Sequence, residues 1–196
     1  MLLNIDVDGV LADFHPAFCK MAITVLGREF PTTYAEFHEV EKALGIGDEE
    51  ADRVWAEVCG PGYAATLEAV ERGVSVVQRL CKRHDVAFVT SPLKKSPTWG
   101  YDRAQWIHQH FEGSKYAIVS TECKRRVDAD LFIEDRADVV CEWLTERHDR
   151  GNHDAFAILY ARPYNKEGMP KKFEDRSKRL SDWFEIESFI DHWLPG

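Results

Sequence analysis

A three-layer α/β protein is the fold class this sequence predicts: a parallel sheet with helices on both faces and a helical mini-domain inserted after the first strand. Three observations lead there. Beyond residue 72, short apolar runs alternate with stretches of helical periodicity, as in a parallel sheet buried on both faces. The apolar run Leu2-Leu3-Asn4-Ile5 ends in two aspartates one residue apart, Asp6 and Asp8. The connection that follows is also too long: about 80 residues separate Asp6 from Asp85, where a crossover needs one helix and a few loop residues.

The elements follow in order. Residues 2–5 read as a buried strand. Residues 14–26 and 48–58 have helical patterns, the second behind an acidic first turn, and 33–44 is a third, with Thr32 or Thr33 as its cap. Gly60-Pro61-Gly62 breaks that run. Helices are then expected over 73–84, 101–111, 136–148 and 185–194, and strands over 85–89, 116–119, 131–133 and 155–159. With residues 2–5 this makes five strands. Residues 160–178 are polar, contain Pro163 and Pro170, and read as a long surface loop.

Composition narrows the function classes. A formal charge of −9 argues against nucleic-acid polymers and anionic membrane surfaces. A small phosphorylated substrate stays compatible, because a bound divalent cation reverses the local field. No apolar run approaches the roughly 20 residues of a membrane span, and an acidic residue at position 6 speaks against a secretory leader. The five cysteines have no short metal or redox spacing and read as free thiols of a reducing cytoplasm. The histidine pairs His108/His110 and His148/His153 lack metal-site spacing, and the histidines read as surface residues.

The chemistry gathers at strand ends. Ligands of an open parallel sheet bind outside the carboxyl ends of its strands. There the chain places Asp6 and Asp8, then Thr90 and Ser91, then Lys124, then Glu134 and Asp135. Paired aspartates at i and i+2 face the same region, and their repulsion suits a division of labour among metal binding, nucleophilic attack and proton transfer. Carboxylates, hydroxyls and a lysine on one rim make a phosphate-and-metal site, with hard oxygens suited to Mg²⁺. A calcium loop is the bland alternative for Asp6/Asp8, but Leu11 stands where such a loop needs glycine and Ala17 where it needs glutamate. Taken singly, Thr90-Ser91 reads as an ordinary strand exit, Lys124 as a solvated lysine, and Glu134-Asp135 as a helix cap. Their order behind successive strands argues for the site.

This arrangement resembles the haloacid dehalogenase-like (HAD) hydrolase superfamily, and within it the 5'(3')-deoxyribonucleotidases. The stretches that carry the likeness are Asp6-Val7-Asp8-Gly9 with Val10-Leu11-Ala12-Asp13-Phe14, then Thr90-Ser91-Pro92, Lys124, and Ile133-Glu134-Asp135-Arg136-Ala137-Asp138. The resemblance implies a Rossmann-like core over residues 1–13 and 73–196 and a helical cap over 14–72. It implies phosphomonoester hydrolysis through an aspartyl-phosphate on Asp6, with Asp8 as general acid and base. Mg²⁺ would be held by the Asp6 carboxylate, the Asp8 backbone carbonyl and Asp135, with Glu134 orienting a water ligand. Thr90, Ser91 and Lys124 would hold the phosphoryl oxygens. The favoured substrate is a deoxyribonucleoside monophosphate; a sugar phosphate or another small phosphorylated metabolite keeps the same chemistry. A catalytically silent phosphate sensor is a third reading.

Two residues are expected to bind substrate. Phe14 follows the aspartate loop and is placed to stack on a base. Phe30, Phe37, Trp55 and Tyr63 read mainly as filling of the small domain. Arg103 stands where the similar nucleotidases carry a phosphate-contacting lysine; its alternative is a solvent-facing helix position. A homodimer is implied by resemblance alone.

Overall fold

A computed structural model describes residues 1–193 of the chain. Its centre is a six-stranded, fully parallel sheet in the order β3-β2-β1-β4-β5-β6. The strands are β1 (Leu2–Ile5), β2 (Asp85–Thr90), β3 (Ala117–Ser120), β4 (Leu131–Glu134), β5 (Phe156–Tyr160) and β6 (Ser177–Leu180). Because the order reverses between β1 and β4, their carboxyl ends open a crevice where a ligand can enter.

Helices cover both faces. On one side α4 (Gly73–Leu80), α5 (Trp99–His110) and α7 (Trp183–His192) pack on Leu3, Ile5, Phe88, Leu131 and Ile133. On the other, α6 (Ala137–Asp149) lays Val140, Trp143 and Leu144 on Val89, Phe132 and Leu159. Spacings of three and four turn one stripe of α6 inward. Trp106, Trp143 and Trp183 are fully buried, and truncating such a residue to alanine costs about 3–5 kcal/mol. Asp182 caps α7, accepting hydrogen bonds from Phe184 N at 2.8 Å and Glu185 N at 3.2 Å.

Between β1 and α4 the chain forms α1 (Phe14–Leu26), α2 (Val40–Leu44) and α3 (Asp48–Val58). Phe18, Ala22, Val54 and Val58 make a core of their own, which Trp99 of α5 enters. The outgoing and returning limbs run side by side: Asp13 N donates to Glu68 O at 2.9 Å and Val70 N to Leu11 O at 2.8 Å.

The elements depart from expectation in four places. The helix expected over 33–44 shrinks to α2, because Glu39 is extended (φ −73°, ψ 107°) and Tyr34 is tied to Asp13 instead. The helix expected over 73–84 ends at Leu80 in a turn. Residues 160–178 are not simply loop: they hold two 3-10 turns, Pro163–Asn165 and Lys171–Arg176, and lead into the sixth strand. That strand is a short, polar sheet edge, Ser-Lys-Arg-Leu, with no apolar run to betray it. His15 is buried, at 5% exposure, and is no surface histidine. Leu194, the last residue of the expected closing helix, lies outside the described residues.

Candidate active site

The site begins with a tight loop after β1. Leu11 N and Ala12 N both donate to Val7 O at 2.8 Å, and Gly9 N donates to Ala12 O at 2.9 Å. Gly9 has φ +81°, which glycine tolerates. A Cβ there would collide with the Asp135 carboxylate and stand 3.1 Å from the Tyr164 hydroxyl. This close approach lets the end of β4 meet the end of β1. Their register pairs Ile5 with Ile133 and sets Asp6 beside Glu134, sealed by the bond from Asp6 N to Ile133 O at 2.9 Å.

Lys124, in the 3-10 turn Lys124–Arg126, is only 7% exposed and bridges two of these acids. Its Nζ lies 2.7 Å from Asp6 Oδ1 and 2.8 Å from Glu134 Oε2. Glu134 Oε1 accepts from Asp135 N and Arg136 N, each at 3.1 Å. Asp6 Oδ1 also accepts from Val7 N at 2.7 Å. Among the described residues, no hydrogen bond occupies Asp6 Oδ2. Burial, reinforced by Glu134, pushes the Asp6 carboxyl up to about 7. Burial likewise pushes Glu134 up to about 7 against the pull of Lys124. Asp8 and Asp135 are raised by burial too. Lys124 is held above its ordinary value, because Asp6 and Glu134 together outweigh its desolvation.

This donor set fits a divalent cation. Carboxylate oxygens of Asp6, Glu134 and Asp135 lie within 4.8 Å of one another. Opposite oxygens around octahedral Mg²⁺, with bonds of about 2.1 Å, are separated by about 4.2 Å. With Asp8 included, four carboxylates face two partner cations, Lys124 and Arg103. When all are ionised, two negative charges stay uncompensated, the charge one such ion offsets.

Asp6, Asp8, Ser91, Lys124, Asp135 and Phe14 line a single cleft. Thr90 lies behind it, 2% exposed, its hydroxyl buried and without a hydrogen-bond partner among the described residues. An orphaned donor beside Ser91 and Lys124 suits a phosphoryl oxygen. Glu134 is fully buried beneath Lys124. Arg103 does not line the cleft, nor does it face solvent. Completely sealed, it pairs with Asp8 Oδ1 through Nη2 and donates from Nη1 to Ala64 O at 3.1 Å. Trp99 and Trp106 flank its guanidinium at 5.4 and 5.7 Å. It reaches the site only through Asp8.

Several residues take places at the site that the sequence reading did not give them. Trp55 and Trp99 wall the cleft with Phe14, their ring centroids 6.0 and 5.9 Å from its ring. His38 and Arg136 also line the cleft, and Tyr164 donates a hydrogen bond to Asp135 Oδ2. Arg136 had a signal, since it directly follows Glu134-Asp135. So did Arg103. The buried stripe of α5 runs Trp99, Asp102, Arg103, Trp106, Ile107, and charged residues inside an apolar stripe are rare without a purpose. Tyr164 had none.

Loop, rim and sheet order define the class: this is a HAD-like hydrolase. Solved structures agree on the fold. A HAD-hydrolase of Bacillus subtilis, bound to magnesium, superposes with a TM-score of 0.57 at 12% identity, covering 97% of this chain and 98% of that one. A haloacid dehalogenase-like hydrolase of Xanthomonas campestris gives 0.55 at 12% identity, covering 97% and 94%. The family model described as 5' nucleotidase, deoxy (pyrimidine), cytosolic type C protein matches residues 1–193, and the chain belongs to that family. The mouse mitochondrial 5'(3')-deoxyribonucleotidase is 26% identical over 193 residues, 91% of this chain and 80% of its own. Its human counterpart is 28% identical over 149 residues, 69% of this chain and 62% of its own.

Proposed function

We infer that this chain is a Mg²⁺-dependent 5'(3')-deoxyribonucleotidase that hydrolyses deoxyribonucleoside monophosphates through an aspartyl-phosphate. The observation that carries the reading is the placement of Asp6, Asp135 and Lys124 in one buried cluster below an aromatic-walled cleft. The mouse and human relatives bear the deoxyribonucleotidase name.

Asp6 Oδ2 attacks phosphorus while the ester P–O bond breaks, and the Asp8 carboxyl gives its proton to the leaving alkoxide. Water then attacks the phosphorus of the aspartyl-phosphate and passes a proton to the Asp8 carboxylate. This releases inorganic phosphate and restores both acids. Thr90, Ser91 and Lys124 hold the phosphoryl oxygens and stabilise the charge that builds there. Asp6, Asp135 and the Asp8 backbone carbonyl would hold the Mg²⁺, with Glu134 orienting from behind; the ion supplies charge neutralisation at the phosphoryl group. Arg103 acts by fixing Asp8 rather than by gripping phosphate. Residues 14–72 serve as a cap over the core formed by 1–13 and 73–196. Phe14, with Trp55 opposite, offers a flat apolar face to a base.

The test is a panel of monophosphates assayed with and without Mg²⁺: deoxyribonucleotides, ribonucleotides, sugar phosphates and a simple aryl phosphate. Deoxyribonucleotides are expected to give the highest kcat/KM, and chelator to abolish turnover. A preference for sugar phosphates would transfer the site to another small metabolite. Turnover unaffected by chelator would remove the metal.

A further inference from the structure

A turn beyond β5 reaches under the cleft. In the 3-10 turn Pro163–Asn165, Tyr164 directs its hydroxyl to Asp135 Oδ2. Asn165 grips the same residue through the main chain: Nδ2 donates to Asp135 O at 2.6 Å and to Tyr160 O at 2.8 Å. Its Oδ1 accepts Arg162 N at 2.9 Å, which closes the turn. The turn is thus keyed to Asp135 at both backbone and side chain. From the other side, Gly9 leaves room for this carboxylate and the Tyr164 hydroxyl together. The phenol ring is held from above by His15 and His38, whose rings lie 5.1 and 5.3 Å from it.

We propose that Tyr164 is a positioning residue for Asp135: its hydroxyl occupies one carboxylate oxygen and aims the other at the divalent cation, while His15 and His38 hold the ring in place. The inference rests on the reading of Asp6 and Asp135 as metal ligands. A carboxylate free to rotate spends part of its time misdirected, and an outer hydrogen-bond donor removes that freedom. Losing such a partner typically costs about 10–100-fold in metal affinity. Tyr164 comes from the loop after β5 and its two ring neighbours from the segment after β1. Placement of that segment is therefore felt at the metal ligand.

The experiment is a calorimetric titration of the full chain with MgCl₂, comparing wild type, Tyr164→Phe, His38→Ala and Asp135→Asn. Tyr164→Phe keeps the ring and removes the donor; its Kd for Mg²⁺ is expected to rise about 10–100-fold, with metal-free melting nearly unchanged. The Mg²⁺ concentration for half-maximal activity should rise by the same factor. His38→Ala loosens the ring without touching the hydroxyl, and a smaller rise is expected. Asp135→Asn should abolish binding; if it does not, the metal-site reading itself fails. If Asp135→Asn abolishes binding while Tyr164→Phe binds Mg²⁺ as tightly as wild type, only the role of Tyr164 is overturned. A large loss of metal-free stability in Tyr164→Phe with unchanged Mg²⁺ affinity would make it a packing residue and overturn the proposal equally.

Discussion

Floor and wall of the cleft are made of opposite materials. At the floor, strand ends deliver Asp6, Glu134 and Asp135, each at most 4% exposed, around a lysine at 7%. Every one of these groups is ionisable, and backbone N–H groups and Lys124 fix several of their oxygens. The wall is aromatic, with the Phe14 ring packed against those of both Trp55 and Trp99. On the proposed function, the floor acts on a group common to every substrate, the phosphoryl, and the wall tells substrates apart. Substitutions on the floor should therefore change turnover whatever the leaving group. Those on the wall should change one substrate relative to another.

The largest effect belongs to the floor. Asp6→Asn should abolish turnover, a loss on the order of 10⁶-fold for removal of a nucleophile, while the circular-dichroism spectrum stays native. Substantial residual phosphatase activity would show that another group attacks.

Asp8 stands between the two regions, on the loop yet paired with wall-side Arg103. Asp8→Asn should cost roughly 10²–10⁴-fold with alcohol leaving groups and far less with an aryl phosphate, whose leaving group needs no proton. Steady-state rates on both substrates decide the matter, and an equal loss would assign Asp8 some other task.

On the wall, Phe14→Ala removes a stacking face worth about 1–3 kcal/mol, roughly 5–150-fold in KM for nucleotides. KM for the aryl phosphate should hardly move. If both rise together, Phe14 packs the wall and does not read substrate.

The smallest effect concerns the metal-free floor. Asp6 and Glu134 are both pushed up to about 7, chiefly by burial. Below that pH the folded state keeps protons that the unfolded chain has already lost above its ordinary carboxyl range. The sign follows: metal-free stability should fall as pH rises from about 4 to 7 and level off beyond. Mg²⁺ replaces those protons and should flatten the slope. Melting temperatures of chelator-treated protein at pH 5 and pH 8 test this; a higher value at pH 8 would mean the cluster is not protonated as its burial demands.

Much of the fold was legible because its signals are local. Helices α1 and α3 match the expected ranges 14–26 and 48–58, since the apolar spacing lies within each segment and α3 also carries its acidic first turn. Five strands announced themselves by apolar runs, and β6, with its polar edge sequence, did not. Residues 33–39 look helical in sequence, but Tyr34 bonds Asp13 and stacks with His15; contacts to distant residues outweigh a weak helix preference.

By itself the sequence determined which groups stand at the ends of β1, β2 and β4 and in the turn after β3. A strand's length and polarity place its final residue without reference to any other part of the chain. Only the tertiary structure decided what those groups touch. Arg103 meets Asp8 across 95 positions and Tyr164 meets Asp135 across 29. Such pairings depend on strand order, on the space left at Gly9 and on the burial that makes each charge need a partner, and none of these is written in any single segment.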